Sequence, residues 1–424
     1  MNTRFTKKSM YDVIVVGGGA AGMFAAIIAA RNGARVALFE QNERLGKKLA
    51  ITGKGRCNVT NHCEPADVLK NVPHNARFLF SAVNRFPPQA MEQFLEDNGC
   101  PVKVERGNRV FPASDRSFSV IDALERAMRE GGVTLRRGRV LSVLEENGQV
   151  CGVRTAQEKI LSKRVILCTG GASYPATGSR GDGYRMAQAL GHTVVPPVGS
   201  LVPLEQNGTD CARMQGLSLR NVGVKLQNAH GKIVYEDFGE LLFTHFGVSG
   251  PTVLSASAHM EGDEGYTLIL DLKPALDEQK LDARILRDFQ KYQNRNLENA
   301  LLDLYPRTMI PVLLARLALA PDTKTNFVTK QQRHALLELT KRFPIQILKK
   351  RPVEEAIITS GGVKVSEVDP KTMQSKKIAG LYFAGELLDC DAYTGGFNLQ
   401  IAWSTAFAAG TAVCAANGKE EQNT

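Results

Sequence analysis

Residues 11–16, Tyr-Asp-Val-Ile-Val-Val, are a short apolar run rich in β-branched side chains, long enough for one buried strand. Three glycines follow at once. Residues 20–32, crowded with small side chains, predict a helix, and residues 35–40 predict a second strand ending in Glu40. Further on, helical patterns cover residues 76–84, 89–98 and 117–130, the last with Ser117 or Ser119 as its cap and Gly131-Gly132 as its stop. Three strands follow at 133–135, 139–144 and 150–155, with a hairpin turn at Glu146-Asn147-Gly148. Residues 163–168 form a buried strand leading into Thr169-Gly170-Gly171, and residues 179–190 a helix.

The pattern changes at Pro196-Pro197. From 201 to 271 it reads as strands, interrupted by one helix at 251–259. Residues 277–319 read as helix with breaks at Pro306 and Pro311, residues 331–342 as another helix, and 343–348 as a strand. From 357 onward the Gly-rich style of the beginning returns. These shifts predict one domain built from both ends, 1–195 with 353–424, a β-rich inserted domain at 196–275 and 325–352, and a helical insertion at 276–324.

The opening run is strand, Gly-x-Gly-x-x-Gly, helix, strand, acid in one βαβ unit, the pattern of a dinucleotide site. Gly17 allows a tight turn, Gly19 a close approach of backbone to a pyrophosphate, and Gly22 close packing of helix on strand. The helix start at Ala20-Ala21 offers free N–H groups and a positive dipole end to phosphates. Glu40 can accept both ribose hydroxyls and would repel a 2′-phosphate, which argues for FAD or NAD over NADP at this site. At the other end, residues 380–386 form a strand ending in Ala384-Gly385-Glu386, and Gly395-Gly396-Phe397-Asn398 opens a helix to about residue 417. A carboxylate at that strand end can bond a ribitol hydroxyl, and the helix start can stabilise an anionic reduced flavin. A nicotinamide enzyme has no need of this second element, which tilts the cofactor to FAD.

Composition narrows the class. The 424 residues carry 53 Lys and Arg against 43 Asp and Glu, a net charge of +10. The basic residues are scattered, with short clusters at Lys47-Lys48 and Lys349-Lys350-Arg351. They read as solvated surface or as attraction for an anionic substrate; no nucleic-acid-binding motif supports a nucleic-acid partner. Residues 1–10 are polar and basic, with no signal-peptide core after them. No apolar run reaches the roughly 18 residues of a membrane span. The eight cysteines include no Cys-x-x-Cys pair and no metal spacing, so no metal site is expected and a cytoplasmic, reduced protein is. The tail from Lys419 is expected to fray.

Four separated segments resemble one family. They are Gly53-Lys54-Gly55-Arg56-Cys57-Asn58-Val59-Thr60-Asn61, the run 169–178, the run 242–251 beginning Leu-Phe-Thr-His, and Gly385-Glu386 with Tyr393-Thr394-Gly395-Gly396-Phe397-Asn398-Leu399-Gln400. The chain resembles, over nearly its whole length, the bacterial NAD(P)/FAD-dependent oxidoreductases that include the bile-acid dehydroxylation reductases. The resemblance implies an α/β fold, a FAD-binding Rossmann-type domain of the two-dinucleotide-binding-domain class, with inserted β-barrel-like and helical domains. It implies cofactor contacts from Gly17, Gly19, Ala20, Ala21 and Gly22, from Glu40 and Gln41, and from Lys47 and Lys48. Thr52, Gly53, Gly55, Arg56, Cys57 and Asn58 would contribute from the basic loop, and Val140 through its backbone. Thr169, Gly170, Gly171, Gly385, Glu386, Asn398 and Leu399 would complete the set.

For chemistry, Tyr174, His245 and Tyr393 are the candidate proton donors; each also has a structural role open to it, in a turn, in the inserted domain, or packed on the flavin. Cys57 and Cys63 are spaced by five residues, whereas flavin disulfide reductases use four, and no second Gly-x-Gly-x-x-Gly exists for a nicotinamide domain. Any NAD(P)H therefore binds as a transient donor to a tightly bound FAD. The leading reading is an NAD(P)H-dependent reductase of C=C bonds conjugated to a carbonyl, with steroid-like bile-acid intermediates implied for one branch of the family. Its substrate would be an apolar small molecule with a carbonyl, held by the inserted domain. The alternatives are a flavin oxidase of small amines or amino acids and an RNA-associated flavoprotein without turnover.

Overall fold

The structure, a computed structural model, describes residues 11–415. The basic stretch 1–10, the polar tail and the end expected for the last helix near 417 lie outside them. Two compact units divide the chain: residues up to Ser200 together with those from Ala356, and residues Leu201–Glu355.

The first unit is built on a five-stranded parallel sheet in the order Leu381–Phe383, Val165–Leu167, Val13–Val16, Val36–Glu40, Thr134–Arg137. Its central strands are buried along their whole length, as a sheet covered on both faces requires. Helix Ala20–Arg31 is buried on nearly every side. It packs against the C-terminal helix Phe397–Ala415 so closely that a Cβ on Gly410 would lie 2.7 Å from the Ala25 carbonyl oxygen. Small residues in both helices thus let two backbones meet over the sheet.

Two antiparallel sheets of three strands and one of two also belong to this unit. One comprises Val140–Glu146, Gln149–Thr155 and Lys159–Leu161; its first hairpin turns at Asn147 and Gly148, both at positive φ, as a two-residue type I′ turn requires. The other three-stranded sheet comprises Thr60–Asn61, Arg109–Pro112 and Val102–Glu105. The sequence pattern predicts none of these three strands, nor Lys159–Leu161: Thr60–Asn61 and Lys159–Leu161 are too short to show a period, and residues 102–112 are charged and lack a clean alternation. The stretch after Glu40 also contains a short helix, Lys47–Ile51. Neither serine caps Ser117–Glu130: the N-cap is Arg116, the Ser117 hydroxyl donates to Ala50 O at 2.8 Å, and Ser119 shares a hydrogen bond with Ser114.

Pro196-Pro197 is not the seam. Both prolines sit inside strand Val194–Ser200, which pairs with Ile358–Val363 and shifts register between Val195 and Val198. A bulge tolerates prolines because no ladder N–H is needed there. In the second unit six strands close a barrel, in the order Leu204–Gln206, Gly247–Ser249, Ile233–Phe243, Ser218–Gln227, Thr267–Asp271, Phe343–Lys350. Strand Phe343–Lys350 alternates buried and exposed positions, placing Phe343, Ile345 and Ile347 in the core. Helices Glu278–Lys291, Ile310–Arg316 and Lys330–Lys341 add to the same core, and Pro311 lies in the first turn of its helix, where proline is tolerated, rather than breaking it.

Candidate functional site

The glycines of the first turn divide their work. Gly17 has φ +106°, and a Cβ there would sit 2.4 Å from the Cys168 carbonyl oxygen. A Cβ on Gly22 would lie 1.8 Å from the carbonyl oxygen of Gly17, so helix and turn can close only around glycine. Gly19 differs: nothing lies within 4 Å of its Cβ position, and it faces the cleft that Glu40, Lys48, Thr169 and Glu386 also line. No side chain caps the helix that starts at Ala20, so its first N–H groups are free to meet a ligand. Glu40 is 8% exposed, accepts from Gly18 N at 2.7 Å, and is bonded by Asn42 N and Nδ2 at 2.7 and 2.8 Å. It holds the turn and puts a carboxylate at the cleft wall.

Further along the cleft, Glu386 accepts from Lys48 Nζ at 2.7 Å and from Thr359 N at 2.9 Å. The same ammonium donates to Ser173 Oγ at 2.7 Å. Thr169 Oγ1, in the cleft lining, is buried and has no hydrogen-bond partner among the described residues. An orphaned buried hydroxyl costs stability unless something else satisfies it. The start of Phe397–Ala415 reaches the same cleft through Asn398 and Leu399. That start is fixed from far away in sequence. Gly396 has φ +100°, and a Cβ there would lie 2.3 Å from Thr60 O. Oriented to satisfy its neighbours, the Asn58 amide accepts from Gly396 N at 3.0 Å. Asn61 Nδ2 donates to Gly395 O at 3.1 Å, Thr60 Oγ1 to Gln400 Oε1 at 2.6 Å, and Trp403 Nε1 to Val59 O at 2.9 Å.

Two helix starts, the Glu40 and Glu386 carboxylates and one orphaned hydroxyl therefore line a single cleft. The model of the HI0933-like protein Rossmann domain matches residues 11–412 of this chain. The chain belongs to this family. It is 31% identical over 411 residues to the 3-dehydro-bile acid delta(4,6)-reductase of Clostridium scindens, covering 95% of this chain and 99% of the relative. It is equally 31% identical, over 412 residues, to the ribosomal RNA dihydrouridine synthase of Escherichia coli K12, covering 94% and 96%. Among solved structures, the 3-ketosteroid delta1-dehydrogenase of Sterolibacterium denitrificans superposes with a TM-score of 0.53 at 15% identity, over 96% of this chain and 100% of that one, a likeness of fold. This is the family of flavoprotein oxidoreductases that the four sequence segments resemble.

For this HI0933-like protein the expected contacts fall into two groups. Gly17, Gly19, Ala20, Ala21, Glu40, Gln41, Lys47, Lys48, Thr52, Val140, Thr169, Gly170, Gly385, Glu386, Asn398 and Leu399 line the cleft. Gly22, Gly53, Gly55, Arg56, Cys57, Asn58 and Gly171 are not in that lining. Gly171 packs beneath Glu386, where a Cβ would lie 2.9 Å from Oε1, and Gly53 lies against Asn58 N. The Arg56 guanidinium bonds Glu105 and Asp115 and stacks 4.2 Å from the centre of the Phe111 ring. Cys57 is wholly buried at φ +61°, and burial pushes its thiol well above the ordinary range; burial and then nearby carboxylates push Cys63 up to about 11. Both are free thiols, neither poised as a thiolate.

Of the proposed donors, Tyr174 sits at φ +53° ahead of the turn Pro175–Thr177, outside the cleft lining. Tyr393 is half-buried and precedes the Gly395-Gly396 turn; its N–H donates to Asn71 O at 3.0 Å. His245 belongs to the second unit, exposed and edge-on to Phe246. The structure does not bring the three together in one unit. Sequence reading missed Thr359, whose hydroxyl accepts from Ala172 N and Ser173 N, and the cleft pair Arg139 and Asp182, joined at 2.8 and 2.9 Å. No local signal marks either, since their partners come from separate strands and helices.

Proposed function

We propose that this protein binds FAD in the cleft and reduces C=C bonds conjugated to a carbonyl. The observation that carries the cofactor is the pair of helix starts lining one cleft, with Gly19 open and Thr169 Oγ1 orphaned between them. Ala20 and Ala21 would hold the diphosphate, Glu40 the ribose hydroxyls, and Glu386 with Lys48 the polar chain beyond it. The bound flavin would supply hydride acceptance and donation, and NAD(P)H would be the transient source of electrons. The protein would orient the cofactor and would present to it the first turn of the C-terminal helix, whose positive dipole end favours an anionic reduced ring.

The conjugated alkene is supported by the relatives' names. A 3-oxo-Δ4,6 steroid is a dienone, and dihydrouridine is uridine whose C5=C6 bond, conjugated to the C4 carbonyl, has been reduced. The two substrates differ in everything but that bond. The steroid reading stands on one relative. A second reading, a uracil ring within RNA, stands on the other and on charge: nearly all of the +10 excess falls outside 201–355, in the unit with the cleft, while basic and acidic residues almost balance inside that range.

The test is anaerobic. The protein is loaded with FAD and photoreduced, then mixed with a panel of enones, dienones and uracil derivatives. Flavin reoxidation with formation of the saturated carbonyl product is the expected result. No transfer to any alkene, followed by rapid reoxidation with peroxide once oxygen is admitted, would sink the reading and favour an oxidase.

A further inference from the structure

The basic loop after Glu40 does not spread its charge evenly. Arg56 and Lys103 saturate the two carboxylates around them, Glu105 and Asp115. Lys54, Arg106, Arg109 and Arg116 remain exposed, with no acidic partner for any of them among the described residues. These four belong to one patch. Ser117 N donates to Gly55 O at 2.9 Å, which joins Arg116 to the loop carrying Lys54. Glu105 faces Arg109 across the hairpin Val102–Glu105/Arg109–Pro112, and Arg106 is in the connecting turn. Arg56 and Arg109 lie 4.2 and 5.9 Å from the centre of the same ring, Phe111.

Apolar groups interleave with the charges: Ile51 and Phe118 are each 46% exposed, and Ser117 Oγ ties the latter's helix to Ala50 O, next to Ile51. The patch also touches the cofactor end of the unit. Asn61 Nδ2 bridges Gly107 O, at the hairpin tip, and Gly395 O, at the start of the C-terminal helix, at 3.0 and 3.1 Å. A surface of unpaired cations with a flat exposed ring, fastened to the turn that opens the redox-site helix, has the make-up of a site for a charged backbone carrying aromatic bases.

We propose that this face, the 102–112 hairpin with Arg116 and Phe118, is the docking surface for RNA, with the phosphates on Arg106, Arg109 and Arg116 and a base against Phe118. The inference rests on the conjugated-alkene reading and on its second substrate, a uracil ring. A lone carboxylate on a steroid would need one cation; four unmatched ones suit a polyanion. Phosphate contacts release counterions, so binding falls steeply with salt.

The test uses the full chain loaded with FAD and a fluorescently labelled RNA hairpin with a uridine-rich loop, followed by anisotropy across a salt series. The triple variant R106Q/R109Q/R116Q should bind about tenfold more weakly or worse, with the slope of log K against log salt flatter by about 2. F118A should weaken binding at every salt concentration and leave the slope unchanged. Both should keep wild-type flavin content and wild-type reoxidation by a free enone, which shows that they fold and that the redox site is intact. Wild-type affinity in the triple variant would overturn the docking surface. So would binding to vesicles of anionic phosphatidylglycerol with none to RNA. If the wild type binds no RNA yet reduces free alkenes, this inference fails and the reductase reading stands; if it binds RNA and reduces nothing, the reductase reading fails instead.

Discussion

Two helix starts face the same cleft, and they are made in opposite ways. At Ala20 the shaping contacts are mostly local: Gly17, Gly19 and Gly22 form the turn within six residues, the closest contact is between Gly22 and Gly17 themselves, and Glu40 and the Cys168 carbonyl brace it from the ends of neighbouring strands. At Phe397 the glycines set the backbone, but the anchors come from Asn58, Thr60 and Asn61, more than 330 residues earlier. Local contacts form at little loop-closure cost, whereas the second start exists only once the two ends of the unit have docked. The first is therefore a property of a motif and the second a property of the fold.

That contrast can be broken by substitution, and the expected effects on stability run from severe to slight. Gly22→Val places a side chain where 1.8 Å separates the Cβ position from a carbonyl oxygen. It should cost more than about 4 kcal/mol and abolish cooperative unfolding together with flavin binding, read by circular dichroism and flavin content. Thr60→Val or Gln400→Leu each leaves a buried polar partner unsatisfied and should cost about 1–3 kcal/mol in denaturant unfolding. The double variant should cost less than the sum, with a coupling energy of about 0.5–3 kcal/mol; strict additivity would mean that the long-range anchor does not hold the second start.

A pH series probes the same unit at a site away from both helix starts. Burial holds His192 below its ordinary value, so its neutral form favours the fold above about pH 6.5 and is lost as pH falls. Burial works to raise Glu367, but hydrogen bonds from Lys377 and Thr193 outweigh it and hold the carboxyl at about 2, against an ordinary 4.5. Its contribution is present above pH 4.5 and disappears as pH falls toward 2. Thermal melts should decline in both windows, and Glu367→Gln should flatten the lower one, losing roughly 2–3 kcal/mol at neutral pH. The slightest effect on stability is expected at Gly19. Its backbone is extended rather than left-handed and its Cβ meets open space, so Gly19→Ala should shift unfolding by no more than about 0.5 kcal/mol while weakening FAD binding measured by flavin fluorescence.

What the sequence showed follows the same division. The first turn, its helix and Glu40 were legible because spacing alone carries their geometry, and Ala384-Gly385-Glu386 with Gly395-Gly396 was legible as a second small-residue strand and helix. The role of Arg56 was not. Its partners Glu105 and Asp115 flank a hairpin whose strands do not alternate, so spacing gives no sign that its guanidinium is engaged there. Asn58 is placed by a partner still more distant in sequence: it supports Gly396 and is not in the cleft lining. Pro196-Pro197 looked like a boundary because proline usually ends strands, yet a bulge absorbs the pair.

The claim on which the rest depends is that both helix starts serve one cofactor. Purified protein stripped of flavin and titrated with FAD, beside the Gly19→Val and Asn61→Ala variants, tests it most directly. The expected result is one FAD per chain in the wild type, loss of binding when Gly19 is filled, and weakened binding with a shifted flavin spectrum when the Asn61 bridge to Gly395 is removed. Unchanged FAD binding and spectrum in both variants, or no binding of FAD by the wild type, would contradict it.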